Sequence, residues 1–372
     1  MKNRVFLLIA IVLLSCANIC CAQYYSPEDE ELRKEIGQML MIGFRGTEVG
    51  TGHSAYRDIT EYNIGGVILF EYDAPSHSRP RNINSRLQLQ KLCKSLQELA
   101  DGNLLIAIDQ EGGKVNRLKS QYGFPDFISA KAMGIENDPD TTRHYAALTA
   151  KVLQSMGINL NFAPCVDVDV NTACPVIGKL NRSFSANPMM VVKHASMWIE
   201  EHNRYNVISS LKHFPGHGSS KTDTHLGIAD VSTTWTNDEL IPYQALIDSQ
   251  MVDVIMTSHV FNSQLDPEYP ATLSKKTITE LLRNKMGFNG VVVTDDLAMG
   301  AMADHYSLEQ ILELAINAGA DILCLSNNGT SYDPDIAPKA VEIIYNMVID
   351  GKISRERIHQ SFVRIQELKT KI

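Results

Sequence analysis

Eight short apolar runs, separated by stretches with helical periodicity, constrain the fold of this chain more than any other feature. They are Met39–Phe44, Gly66–Phe70, Leu104–Ile108, Leu160–Ala163, Ile208–Leu211, Val254–Thr257, Val291–Thr294 and Ile322–Leu325. Each reads as a strand. Between most of them lie amphipathic helical patterns. Arg86–Leu99 places Leu87, Leu89, Leu92, Leu96 and Leu99 at helical spacings, and Tyr145–Met156 and Met189–His202 read the same way. Val341–Val348 and Ser354–Thr370 read as closing helices.

This alternation predicts an α/β fold, a (β/α)8 TIM-type barrel. A doubly wound sheet would show similar alternation, but the placement of polar motifs favours the barrel. Asp109, Lys212-His213, Ser258-His259, Asp295-Asp296 and Ser326-Asn327 each follow their strand directly. In a barrel those strand ends converge on one face, where active sites sit. No linker divides the chain, so residues 23–372 are expected to form a single catalytic domain. With 372 residues, 44% of them hydrophobic, the chain can bury a large core.

The first 22 residues read separately. Lys2 and Arg4 precede the apolar run Val5–Leu14, and Cys20-Cys21-Ala22 ends in a small residue. This is the pattern of an export signal, with cleavage expected after Ala22. Leu13-Leu14-Ser15-Cys16 also resembles a bacterial lipobox, which would leave a lipid on Cys16. Either outcome takes the protein out of the cytoplasm, to the periplasm or to a membrane through Cys16. The net charge of −9, without a basic stripe, argues against nucleic acid as a partner. Cys93, Cys165, Cys174 and Cys324 have no C-x-x-C spacing, which argues against a zinc site. A Cys165–Cys174 disulfide and buried free thiols both remain open.

The densest chemistry lies in Lys212-His213-Phe214-Pro215-Gly216-His217-Gly218, followed by Asp223-Thr224-His225. Pro215, Gly216 and Gly218 disfavour a regular helix, so a strand is expected to release these ionisable groups into a loop. Asp223 beside His225 can fix the tautomer of the imidazole and raise its basicity, which suits a general acid/base near neutral pH. Asp109 and Arg117 can bind a polyol through paired hydrogen bonds. Asp295, first after its strand, is placed to point into the barrel mouth. Its carboxylate can attack an anomeric carbon and later leave. Asp296 then points elsewhere and caps the next helix or pairs outside the site. One alternative is a metal-dependent hydrolase using His213, His217, His225 and Asp295.

Taken together, these motifs resemble glycoside hydrolase family 3, and most closely its single-domain bacterial β-N-acetylhexosaminidases. The resemblance rests on Ile108–Gly113, Asn161–Pro164 with Val166-Asp167-Val168, Arg182–Ser185, Lys212–Gly218 with Asp223 and His225, and Thr294–Met299. It implies a retaining, two-step displacement without metal or other cofactor. Asp295 would be the nucleophile, His225 the acid/base and Asp223 its partner. Asp109, Arg117, Arg182, Lys212 and His213 would bind terminal N-acetylglucosamine. An imidazole in place of a second carboxylate leaves one fewer anion at the intermediate, so phosphate could compete with water as acceptor. Val176–Asn181 is longer than the commoner form of this stretch, which puts the local loop shape in question. Trp198 and Trp235 lie in no recognised loop, which disfavours an extended aromatic platform and favours short glycans cut from the non-reducing end. Other β-glycosides, such as glucosides or xylosides, and a non-catalytic sugar-binding role remain as alternatives.

Overall fold

In the computed structural model, which describes residues 26–372, eight parallel strands are laid side by side. They are β1 (Leu40–Gly43), β2 (Gly66–Leu69), β3 (Leu105–Ile108), β4 (Leu160–Asn161), β5 (Ile208–Phe214), β6 (Val254–Thr257), β7 (Val291–Val293) and β8 (Leu323–Leu325). Neighbours run in the order β7-β6-β5-β4-β3-β2-β1-β8. The two ends of this row meet through a parallel bridge between Val293 and Ile322, supported by Ile322 N–H donating to Val292 O at 3.0 Å. The sheet is thereby a (β/α)8 barrel, as the alternation predicted. The strands are buried throughout, because side chains on one face fill the barrel and those on the other pack under helices.

Residues 1–31 and 32–372 form two units. The expected leader, residues 1–22 with Cys16, lies outside the described residues. Of the first unit only Ser26–Glu31 is described. It opens the helix Pro27–Gln38, where Ser26 Oγ accepts from the Asp29 N–H at 3.2 Å. The second unit carries the barrel and its core.

Capping residues explain where the helices differ from the apolar pattern. Arg86–Leu99 forms as expected, with Ser85 Oγ accepting from Gln88 N–H. The Tyr145–Met156 pattern belongs to a longer helix, Pro139–Met156. Asp138 caps its start, Pro139 fits its first turn, and Gly157 ends it at φ 81°. Met189–His202 likewise extends to Pro188–Arg204, capped by Asn187. The polar first turn of Pro139–Met156 carries no hydrophobic periodicity, so the pattern alone started that helix late.

Where β7 meets β8, the barrel's N-terminal end is tied by one buried carboxylate. Asp321 Oδ2 accepts from Val292 N–H at 3.0 Å and from Arg283 at 2.5 Å. Its Oδ1 accepts from Ser361 Oγ at 2.8 Å and from Arg364 at 3.2 Å, with Arg357 at 3.4 Å. Both tryptophans are buried: Trp198 stacks on His202, and Trp235 Nε1 donates to Pro215 O at 3.0 Å beneath the Lys212–Gly218 segment. All four described cysteines are free and buried. Cys165 Sγ faces Asp167 Oδ2 at 3.2 Å and Cys174 Sγ faces His217 O at 3.5 Å, so each thiol has its own acceptor and the disulfide does not form.

Candidate active site

The strand β5 runs further than its apolar stretch, through Lys212 and His213 to Phe214. The sequence pattern ended at Leu211 because the next two side chains are ionisable. They are nonetheless buried, and each is paired, as burial of charge requires. The Lys212–His213 and Phe214–Pro215 peptides are cis. Beyond them the chain turns at Gly216, whose φ of 122° suits glycine. Gly218 then passes so close to Val168 that a Cβ would lie 1.7 Å from its carbonyl oxygen.

Lys212 Nζ sits 2.6 Å from Glu111 Oε1 and 2.8 Å from Asp109 Oδ1. Arg182 grips Glu111 with two hydrogen bonds of 2.7 and 2.9 Å. It also donates to His213 Nε2 at 3.0 Å, which leaves His213 Nδ1 to donate to Asp167 Oδ2 at 2.6 Å. Asp167 Oδ1 further accepts from the His217 N–H at 2.7 Å. One continuous charged network therefore runs from Asp109 to Asp167. Burial opposes ionisation of Asp109 and Glu111, but the adjoining cations outweigh burial. Lys212 and Arg117 hold Asp109 well below the usual carboxylate range, and Arg182 and Lys212 lower Glu111 to about 2. Burial likewise disfavours the charged ammonium of Lys212, yet Asp109 and Glu111 raise its pKa above the ordinary lysine value.

A cavity of about 440 Å3 opens at the C-terminal ends of the strands. Asp109, Arg117, His225, Asp295 and Asp296 line it, together with Phe70, Glu71 and Tyr72 from the loop after β2. Four of the eight expected site residues line the cavity, and two more reach it by one bond. Asp223 joins through His225, and Lys212 through Asp109. Arg182 and His213 connect through the network rather than through the cavity lining. Arg117 is oriented by Gln110, whose Oε1 accepts the Arg117 N–H at 3.1 Å, and it reaches Asp109 Oδ2 at 3.4 Å.

One residue, Thr294, separates Asp295 from the end of β7. Burial raises its pKa, but His259, His213 and His225 and the Asp296 N–H, 2.8 Å from Oδ1, together lower it below the ordinary value. It is thus an ionised carboxylate with few bonds of its own, suited to nucleophilic attack. Asp296 behaves as its neighbour's opposite. Its carboxylate accepts from Ala298 N–H at 3.1 Å and from Ser326 N–H at 3.0 Å and Oγ at 2.5 Å, and so fixes the loop after β7. His225 is 64% exposed at its side chain, with Nδ1 2.7 Å from Asp223 Oδ1, so its Nε2 faces open space.

Among the described residues, His213, His217, His225 and Asp295 do not bring their ligating atoms together. His213 is held by Asp167 and Arg182, His217 Nε2 lies 3.3 Å from Thr224 Oγ1, and His225 is held by Asp223. Among the described residues the group whose ligating atoms lie together is Cys165, Asp167 and His213, and its members are bonded to one another.

Glu111 and Asp167 had no role in the sequence reading beyond their motifs, yet Glu111 pairs with Lys212 and Arg182 and Asp167 holds His213. His259, noted there only as a polar residue after β6, bonds Asp296 O at 2.9 Å through Nε2 and Thr272 Oγ1 at 2.8 Å through Nδ1. Burial of acids after β3 and β4 was the missed signal, and the adjacent motif cations needed such partners. The longer Val176–Asn181 stretch folds into one tight turn, Gly178–Leu180, closed by Asn181 at φ 59°. Its Val176 carbonyl accepts from Arg182 at 3.0 Å, so the extra length supports the arginine.

A parallel barrel whose strand ends place an ionised carboxylate and an exposed carboxylate-backed imidazole in one cavity fits a glycoside hydrolase of the barrel type. Residues 31–368 match the model of the glycosyl hydrolase family 3 N terminal domain, and the chain belongs to that family. A beta-hexosaminidase of Tolumonas auensis is 36% identical over 295 residues, 78% of this chain and 83% of that protein. Beta-hexosaminidase A of Pseudoalteromonas piscicida is 33% identical over 339 residues, covering 84% of this chain and 54% of its own length. The solved family 3 beta-N-acetylglucosaminidase of Paenibacillus sp. FPU-7 superposes with a TM-score of 0.82 at 34% identity, covering 91% of this chain and 62% of that one. This chain thus spans about half of the Pseudoalteromonas protein and under two thirds of the Paenibacillus chain.

Proposed function

We propose that this chain is an exported, retaining β-N-acetylhexosaminidase that removes terminal non-reducing N-acetylglucosamine from short glycans, peptidoglycan fragments among them. The observation that carries the reading is the shared cavity of Asp295 and His225, with His225 backed by Asp223. The names of the similar proteins support the sugar, and Lys2 and Arg4 ahead of the apolar run Val5–Leu14 support export. No helix among the described residues is long and apolar enough to cross a membrane.

In the first step Asp295 attacks the anomeric carbon while His225 Nε2 gives its proton to the leaving oxygen. The glycosidic bond breaks and a glycosyl ester of Asp295 forms. In the second step His225, now neutral, takes a proton from water as the water attacks the same carbon and the Asp295 carboxylate leaves. Asp223 holds the imidazole through both steps. Asp109 and Arg117 bind sugar hydroxyls from the cavity wall, Lys212 and Arg182 help keep Asp109 ionised, and His213 accepts from Arg182. Phosphate could replace water in the second step. A glycosyl phosphate product would then accumulate with added phosphate, and unchanged product and rate would exclude this.

Chromogenic N-acetyl-β-D-glucosaminide, glucoside and xyloside, tested side by side, check the substrate. Turnover of the N-acetyl sugar alone is expected. Preference for either other sugar would overturn the hexosaminidase reading, and saturable binding without turnover would favour a sugar-binding role.

A further inference from the structure

We propose that Gly300 is a positioning residue for the acid/base, because its missing side chain lets the His225 loop seat against the segment that carries the nucleophile. The proposal rests on the reading of His225 given above.

A Cβ on Gly300 would lie 2.7 Å from the His225 carbonyl oxygen and 3.1 Å from Asp304 Oδ2. The Gly300 backbone is outside the left-handed region, so what glycine supplies here is space and not conformational freedom. The next residue completes the contact: the Ala301 N–H donates to Thr224 O at 3.1 Å. Two successive residues of the short helix Gly300–Ala303 therefore receive two successive residues of the loop. Gly300, Asp304 and His225 all line the cavity that holds Asp295.

The seat is itself fixed to the nucleophile. Met299 N–H donates to Asp296 O at 3.1 Å, the Asp296 carboxylate is held by Ala298 and Ser326, and His259 holds the Asp296 carbonyl. From Asp295 to Ala301 the chain is thus a braced unit. The outer side of the loop is open: Leu226 is 84% exposed, and a Cβ on Gly227 would meet nothing within 4 Å. On its inner side Thr224 Oγ1 also lies 3.3 Å from His217 Nε2. The position of His225 relative to Asp295 is accordingly set from the inner side, at Gly300 and Ala301.

Gly300→Ala should push the loop outward by about 0.7 Å, the difference between 2.7 Å and an ordinary contact of 3.4 Å. A misplacement on this scale costs roughly 10- to 100-fold in rate. The test compares kcat/KM on N,N′-diacetylchitobiose, whose leaving group needs a proton, with that on the 2,4-dinitrophenyl N-acetyl-β-D-glucosaminide, whose leaving group does not. It is run on the full protein, on Gly300→Ala, on His225→Ala and on the double variant. The expected result is a loss of about tenfold or more on chitobiose, little change on the aryl glycoside, and no further loss when His225 is already alanine. A Gly300→Ala loss of equal size on both substrates, or of equal size with and without His225, would overturn the seat. If His225→Ala is selective for chitobiose and Gly300→Ala is not, the seat alone fails. If His225→Ala harms both substrates equally, the acid/base reading fails and takes the seat with it. Should Gly300→Ala not fold, Ala301→Pro is measured in the same way. It removes the N–H donated to Thr224 O within a first helical turn, where proline is tolerated.

Discussion

His225 Nδ1 and the His225 backbone N–H both meet one oxygen of Asp223, at 2.7 and 2.9 Å. The double contact fixes both the ring and the backbone that bears it, and leaves Nε2 as the working nitrogen. His225→Ala should therefore lower kcat/KM on glycosides with poor leaving groups by about 10^2- to 10^4-fold, and on activated aryl glycosides by far less. Asp223→Ala should cost less than His225→Ala on the same substrates, since the imidazole remains. Rates across a series of aryl leaving groups check both, and a flat dependence in wild type and variants alike would count against His225 as the acid.

Glu111 bears on stability as well as on the site. Its folded pKa, near 2, lies below the ordinary 4.5 because Arg182 and Lys212 outweigh burial. Its pairing thus contributes stability that is full above pH 4.5 and is lost as pH falls toward 2, by about 3 kcal/mol at most. Asp109 and Asp167 act in the same direction. Urea unfolding of wild type and Glu111→Gln between pH 7 and pH 3 should show a stability gap that is widest at pH 7 and narrows with acid. A gap independent of pH would remove the ionic account.

Asp321 does for the closure of the barrel what Glu111 does for the cavity. Removing it strands Arg283, Arg357 and Arg364 and the Val292 N–H together. Asp321→Ala should destabilise the fold by about 3–5 kcal/mol. Because Asp321 sits at the opposite end of the barrel from the cavity, KM of the folded fraction should not change. Denaturant titration beside steady-state kinetics checks this pair of outcomes.

The free, buried thiols give a simpler test. Protein beginning at residue 23 should react with a thiol reagent at none of its four cysteines while native, and at all four once unfolded without reductant. Two reactive thiols after unfolding would instead indicate the Cys165–Cys174 bridge.

How much of this was legible in the sequence follows from where each signal comes from. All eight barrel strands were readable, because doubly buried strands are continuous apolar runs. Asp295, His225 with Asp223, and Asp109 with Arg117 were readable because each pairs complementary chemistry near a strand end. The end of β5 was not, since Lys212 and His213 lie in a buried strand only by virtue of Asp109, Glu111, Asp167 and Arg182, which come from three other parts of the chain. The roles of Glu111, Asp167 and Gly300 are tertiary for the same reason. A glycine needed for space at a distant carbonyl looks, in sequence, like any other glycine.

The central claim is that Asp295 becomes covalently bound to the sugar. A 5-fluoro N-acetyl-β-D-glucosaminyl fluoride, which forms the ester quickly and releases it slowly, followed by peptide mass mapping, tests it most directly. The account predicts one sugar per chain on the peptide that contains Asp295, and none on Asp295→Ala, which should still bind sugar without turning it over. Label on another residue, or full turnover by Asp295→Ala, would contradict it.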